Sequence, residues 1–322
     1  MNNTKIEQQI ALLNNTLKEL IDRDYVYLDI PEHYNVGDHL IALGAFELLK
    51  NIPFKCRYRT TIINCNFDKV DNDVIILCHG GGNFGDIYRG CTRFRNIVVE
   101  RFPNHKIIFL PQSIHYQDKT LMEQDAELYA GHKGLTITVR DEISYDILKQ
   151  YFSRNKVMLL PDTAFGLYYK LPKQTNKQTN KQTNKQLYFK RKDIEFAEEL
   201  KSDENITDTL DWADIVQKNN QFKIRNFGVK VTKNIRKYLL KWGVKEDSRL
   251  ISSINSFRNW YLLKAMYSFF LKKSIKQFLK YDKIYTTRLH GAILAEMLHI
   301  EIELLDNTYR KLNNYYDTWF RK

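Results

Sequence analysis

Residues 74–86 read VIILCHGGGNFGD, a five-residue apolar run that ends at a glycine cluster. Such a run, bounded by glycine, reads as a strand buried on both faces, and strands of that kind belong to parallel sheets covered by helices. The same pattern recurs on either side. Further β-rich runs stand at 25–30 (YVYLDI), 56–63 (CRYRTTII), 106–110 (KIIFL), 135–139 (LTITV) and 157–160 (VMLL), with amphipathic stretches at 39–50 and 142–152 between them. This alternation predicts an α/β fold with a largely parallel sheet. In open sheets of this type ligands bind beyond the carboxyl ends of the strands, so the segments directly after the apolar runs are where chemistry is sought.

At 322 residues the chain exceeds the usual size of one hydrophobic core, and two domains are expected. A tetrapeptide repeated through residues 173–186, KQTNKQTNKQTNKQ, has no apolar side chain to bury and reads as a solvated linker between a domain at 1–172 and one at 187–322. The second part opens on LYFKR (187–191), passes through helical stretches at 230–242 and 258–281, and closes on KIYTT (283–287), GAILAEMLH (291–299) and EIELL (301–305). It reads as a smaller α/β unit, with strands sparse between 192 and 282.

Composition narrows the classes. A net charge of +12 favours anionic partners, among them phosphates, nucleic acid and acidic lipid. The cations are read as spread along the chain, and no nucleic-acid-binding module of known signature is found, so no nucleic-acid partner is expected. Four cysteines without C-x-x-C spacing suit a reducing, cytoplasmic setting. The first twenty residues lack the continuous apolar run of a signal peptide, and no stretch is apolar for long enough to span a bilayer. The histidines form no H-E-x-x-H or similar set, and no metal or other cofactor is expected.

Four post-strand segments could carry chemistry. In the first, His79 to Asn83 with Gly81 and Gly82, successive glycines let backbone N–H groups approach a phosphate or sugar. A Walker A reading fails because Gly85 is followed by Asp86; the dinucleotide reading of Gly80, Gly82 and Gly85 lacks its acidic ribose partner. In the second, Asn35 and Asp38 suit helix capping, with a ligand role left open. In the third, Arg140 stands at the sheet's carboxyl edge, either gripping a carboxylate or phosphate or paired with a nearby acid, while Asp141 suits a helix cap. The fourth is Thr286-Thr287-Arg288-Leu289-His290-Gly291. Arg288 and His290, two positions apart, point the same way in extended chain. At a helix start, His290 is expected neutral in the empty site and to gain its proton when an anion arrives, as suits a general acid.

Taken in order, NVGDHLIALGAFELL, HGGGNFGD, FLPQSIHY, TVRDEISYDIL, LLPDTAFGL, TTRLHGAILAEM and DNTYRKLNNYY resemble the polysaccharide pyruvyl transferase family. The resemblance implies two Rossmann-like α/β domains facing a cleft, similar to GT-B glycosyltransferases. It also implies transfer of a pyruvyl group from phosphoenolpyruvate to two hydroxyls of one sugar, giving a cyclic ketal and phosphate. Carried over residue by residue, it puts Arg140, Arg288, Leu289 and His290 on the donor, with His290 as acid and Lys311 at a recurrent basic position. Asn35, Asp38, His79, Gly81, Gly82 and Asn83 fall on the acceptor side. Asp38 and Asp86 are the candidates for a base. The partners implied are phosphoenolpyruvate and a saccharide acceptor. A lipid-linked acceptor would suit the basic charge at an anionic membrane face. Two rivals remain: a nucleotide-sugar glycosyltransferase of the same architecture, and a non-enzymatic polyanion binder.

Overall fold

The computed structural model describes residues 3–172, 184–192, 206–218, 220–245, 248–305 and 310–321. Seven strands form the first sheet: β1 (Tyr25–Leu28), β2 (Cys56–Arg59), β3 (Ile75–Cys78), β4 (Gly81–Gly85), β5 (Ile107–His115), β6 (Leu135–Val139) and β7 (Lys156–Leu159). Their order is β2-β1-β3-β5-β6-β7, with β4 beside the far end of β5, and every pairing is parallel. Alternate side chains divide between two apolar clusters. Tyr25, Tyr27, Ile75, Leu77, Ile108 and Leu110 face one way, and Val26, Leu28, Ile76, Cys78, Ile107 and Phe109 the other. Burial on both faces is what makes these strands continuously apolar.

The second sheet holds β8 (Gln186–Phe189), β9 (Ile206–Leu210), β10 (Lys283–Thr286) and β11 (Glu301–Leu304) in the order β11-β10-β8-β9, again parallel. Leu187 and Phe189 join the same apolar cluster as Tyr25 and Leu77, so one core runs from the first sheet to the second. The chain's last helix, Lys311–Trp319, returns to the first half: Thr318 Oγ1 accepts from the Glu142 backbone N–H at 3.2 Å, and Trp319 Nε1 donates to the Arg140 carbonyl at 2.8 Å.

Four expectations change. Pro111 was expected to end the strand at Leu110, yet β5 continues to His115, with an irregularity in its pairing to β6 between Phe109 and Gln112. Proline lacks an N–H to donate, and an irregular position tolerates that. The glycine segment, expected as a loop, forms β4 along this extension, and a Cβ at Gly80 would lie 2.5 Å from the Pro111 carbonyl. The region read as poor in strands contains β9, whose sequence ITDTL is mostly exposed and hides its period. Residues 173–183 of the KQTN repeat lie outside the described residues, and Gln186 already belongs to β8. Among the described residues, no helix is long and apolar enough to cross a membrane.

Candidate active site

The turn after β10 sets two side chains. Thr286 Oγ1 accepts from the Arg288 N–H at 3.0 Å, which leaves Arg288 extended (φ −113°) as the cap of helix Leu289–Met297 and puts His290 in the first helical turn. Both line a cavity of about 240 Å³ together with Leu289, Arg191, Trp212, Arg140, Asn35, Asp38, Gly82 and Asn83. The N-termini of two helices, Val36–Leu49 and Leu289–Met297, border this space. Aligned peptide dipoles at a helix start favour an anion, and at Val36–Leu49 the Asn35 cap and Asp38 counter that pull, which leaves the start of Leu289–Met297 as the more favourable of the two.

A buried triad forms the floor. Arg140 extends from the end of β6, 2 % exposed. Its guanidinium donates to Ser113 Oγ at 2.9 Å and to Asp162 Oδ2 at 2.6 Å. The same Asp162 oxygen lies 3.1 Å from His290 Nε2, which is also 3.3 Å from the Arg140 guanidinium. Asp162 Oδ1 accepts from the Ala164 N–H at 2.8 Å, and the Asp162 N–H donates to Tyr315 OH at 3.1 Å, so the carboxylate is fixed from every side. Burial alone would raise its proton affinity, but the charges of His290 and Arg140 outweigh burial and hold it well below the usual carboxylate range.

His290 is wedged from the opposite side by Gly37. A Cβ at position 37 would lie 2.8 Å from His290 Nδ1 and 3.1 Å from its Cβ, closer than real contacts allow. Gly44, two turns along the same helix, lets that helix close on the Thr163 carbonyl, and the turn Thr163–Lys170 begins at Asp162. One helix therefore seats both the imidazole and the segment that carries its partner.

Arg288 meets a different carboxylate. Its Nε and Nη2 grip Asp211 in a two-pronged pair, the second contact at 2.7 Å, and Asp211 also caps helix Trp212–Val216. The segment after β8 is tied in by the Arg191 N–H, which donates to Thr287 Oγ1 at 2.8 Å.

On the opposite wall, Asn35 caps its helix, with Oδ1 accepting from the Gly37 N–H at 3.1 Å, and its Nδ2 donates to Asp38 Oδ2 at 2.9 Å. Asp38 is held below the usual carboxylate range: burial opposes this, but His33, His290, His79 and His39 outweigh it. Gly82 and Asn83 reach the cavity; His79 and Gly81 do not line it. Gly81, at φ +113°, lies under Asp38, where a Cβ would be 3.4 Å from Oδ1. His79 is buried with Nδ1 2.8 Å from Tyr27 OH, and borders a second, larger cavity of about 760 Å³. The two cavities share His33, Asn83, Tyr88 and Cys91. Arg95, fully buried, holds the loop by donating to Asp29, to Gln112, to the His79 carbonyl and to Asn83. Asp86 is engaged elsewhere, accepting from the Gln117 and Asp118 N–H groups at 2.7 and 2.8 Å. Lys311 begins the last helix, and its side chain lies outside what is described.

Sequence reading missed Asp162, Asp211 and Arg191. Asp162 had a signal, since it follows the β7 run directly in LLPDTAFGL; Arg191 likewise follows β8. Asp211 had none, because β9 was not recognised.

The model of a family described as polysaccharide pyruvyl transferase matches residues 35–302. The chain belongs to that family. A putative pyruvyl transferase of Bacillus subtilis, EpsO, is 33 % identical over 297 residues, covering 92 % of this chain and 85 % of that one. Pyruvyl transferase 1 of Schizosaccharomyces pombe is 26 % identical over 303 residues, 91 % of this chain and 68 % of its own. Among solved structures, the Klebsiella pneumoniae protein KP1_0663 aligns with a TM-score of 0.56 at 20 % identity over 98 % of this transferase and 94 % of that chain, a likeness of fold. In this polysaccharide pyruvyl transferase, the matched region includes the NVGDH, HGGGN, TVRDE and TTRLHG segments whose side chains border the cavities described above.

Proposed function

We propose that this transferase moves the pyruvyl group of phosphoenolpyruvate onto two hydroxyls of one sugar in a surface-polysaccharide precursor, forming a cyclic ketal in a GT-B-like cleft between its two sheets. The observation that carries the reading is one shared cavity. His290, backed by Asp162, shares its walls with Arg140, Arg191, Arg288 and the N-terminus of helix Leu289–Met297 on one side, and with Asn35, Asp38, Gly82 and Asn83 on the other.

The donor carries a carboxylate and a phosphate. Arg288, kept in a fixed plane by Asp211, and Arg191 beside it suit such an anion, and the N–H groups at the start of helix Leu289–Met297 add to the attraction. These groups hold the donor without calling on a metal. Proton transfer from the His290 imidazolium to the donor's methylene carbon leaves the ring neutral and makes the adjoining carbon electrophilic, and the first sugar hydroxyl adds there. The C–O bond to phosphate then breaks, and the second hydroxyl closes the ring. Of the two hydroxyl protons released, one replaces the proton given to the methyl carbon and the other leaves with inorganic phosphate. Asp162 orients the imidazole and balances its charge when protonated. Asp38, held ionised, accepts a hydrogen bond from a sugar hydroxyl and is the candidate base.

The acceptor side extends into the larger cavity bordered by His79 and Asn83, whose volume of about 760 Å³ suits a saccharide chain. A lipid carrier on that saccharide would bring the protein to a membrane face. Phosphoenolpyruvate should raise the melting temperature of the wild type and of a His290→Ala protein, and sugar nucleotides should not. The variant should release no phosphate in the presence of acceptor. Near-normal phosphate release by folded His290→Ala, or protection by sugar nucleotides alone, refutes the assignment.

A further inference from the structure

The positive charge of the chain is not evenly distributed, contrary to the first reading of the sequence. Between residues 215 and 281 there are sixteen Lys and Arg against two acidic residues, Glu246 and Asp247, so this one segment exceeds the net +12 of the whole protein. Its centre is helix Asn220–Lys241, which contains no Asp or Glu. Gly243, at φ +83°, ends the helix, and the Val244 N–H returns to the Leu239 carbonyl at 3.0 Å.

The helix has two apolar strips where a soluble surface helix needs one. Phe222 and Val229, with Asn226, are buried against the protein. Ile224, Phe227, Val231, Ile235, Tyr238 and Trp242 recur at intervals of three and four, which at 3.6 residues per turn stacks them along the opposite, outer side. That outer strip is open to solvent: Ile224 is 74 % exposed, Phe227 68 % and Trp242 79 %. Lys223, Lys230, Lys237 and Lys241 form a file beside it, and all four are exposed. Lys230 and Lys233 also line the larger cavity that adjoins the catalytic one. The packed neighbour, helix Arg249–Tyr261, likewise contains no acidic residue and exposes Leu250, Phe257 and Trp260.

We propose that the outer face of helix Asn220–Lys241 docks on an anionic lipid bilayer. An aromatic and aliphatic strip flanked by lysines has the composition of an interfacial helix: the rings enter the headgroup boundary while the long lysine side chains reach anionic phosphates. Charge decides between this occupant and others. A second copy of the chain would set one such lysine file against another, whereas an anionic surface complements it. The cavity lined by Asn226, Val229, Lys230 and Lys233 opens on the other side of the same helix, about one helix diameter of 10 Å from the docked face, so a saccharide held on a lipid carrier has to reach around the helix to enter it. That last step rests on the transferase reading above; the docking itself does not.

The test is co-sedimentation of the full chain with phosphatidylcholine vesicles made with and without phosphatidylglycerol, alongside a Phe227→Ser, Tyr238→Ser, Trp242→Ser protein. All three positions are exposed, so the fold should survive. The wild type should sediment only with the anionic vesicles, with a blue shift of tryptophan emission. The triple variant should partition at least about tenfold less, since each lost ring removes apolar area from the bilayer contact. The proposal is overturned if the wild type stays in the supernatant, if the triple variant binds equally well, or if sedimentation velocity finds a wild-type dimer that the variant abolishes. Melting with phosphoenolpyruvate on the same samples reads the transfer site separately. Protection retained without vesicle binding sinks docking alone, and vesicle binding without protection sinks the donor assignment alone.

Discussion

Asp162 presents a single carboxylate oxygen to His290 Nε2 at 3.1 Å and to the Arg140 guanidinium at 2.6 Å. The three side chains come from the helix after β10, the turn after β7 and the end of β6, and none is more than about a tenth exposed. In so dry a setting each charge depends on the others, and the carboxylate gives the imidazole a fixed orientation. This coupling makes Asp162 the most sensitive position outside the groups that meet substrate.

Replacing Asp162 by Asn keeps the cap on the Ala164 N–H but removes the charge. Phosphate release should fall about 10²-fold or more, the scale of lost acid–base assistance. Arg140 would be left buried without its counter-ion, so stability should drop by about 3 kcal/mol. Steady-state rates and denaturant melts on one preparation check both. Retained activity would remove Asp162 from the site.

Gly37→Ala acts on His290 without touching its chemistry. The added methyl meets the imidazole at 2.8 Å, so ring or helix must shift. Overpacking of this kind costs about 1–3 kcal/mol. The expected result is a modest loss of melting temperature with a disproportionate loss of turnover, and a changed His290 ring signal in NMR. Unchanged turnover would mean that the ring's position is not critical.

Arg288→Lys should raise the donor KM about ten- to hundredfold, the worth of one or two charged hydrogen bonds, with a smaller effect on kcat. Lysine keeps the charge but cannot reproduce the two-pronged contact with Asp211. An Asp211→Asn protein should show the same KM effect more weakly, because Arg288 then loses its fixed plane. Effects confined to kcat would place Arg288 on the reacting carbon instead.

Acid should destabilise the fold through two histidines. Burial lowers His39 and His79 from an ordinary value of 6.5 to about 3 each. Each is neutral in the folded chain and gains a proton on unfolding, so the stability it contributes is complete above 6.5 and is lost as the pH falls from there toward 3. At pH 5 the loss is about 2 kcal/mol per histidine. Buried Asp29, raised to about 6, works the other way and offsets part of this below pH 6. Melting temperatures between pH 7.5 and pH 4 should still decline, and His39→Gln should flatten the decline, since one of the two buried histidines then no longer gains a proton on unfolding. A pH-independent wild type would contradict this.

Most of the first sheet could be read from the chain directly, because strands buried on both faces must be apolar throughout. LTITV became β6 at its own boundaries. The errors fall where local pattern and tertiary role part company. Pro111 sits inside β5 because an irregular pairing accepts it. ITDTL is a strand only because it adds to β8 at the sheet's edge. The segments bearing Arg140, Arg288 and His290 were legible as strand ends, since the α/β architecture dictates where ligands lie. Their partners were not.

Local chemistry along the chain was enough to establish parallel α/β layers, four of the segments that border the cavities, and Arg140, Arg288 and His290 among the residues that line the smaller one. Only folding decided that Asp162, 128 residues before His290, would seat its ring, that Asp211 and not Asp141 would pair with an arginine, and that the second apolar strip of helix Asn220–Lys241 would face outward. Side-chain type sets what a residue is able to do, but pairings between distant carboxylates and cations follow from which backbone segments pack together. That packing depends on close approaches such as Gly37 on His290, which become visible only in three dimensions.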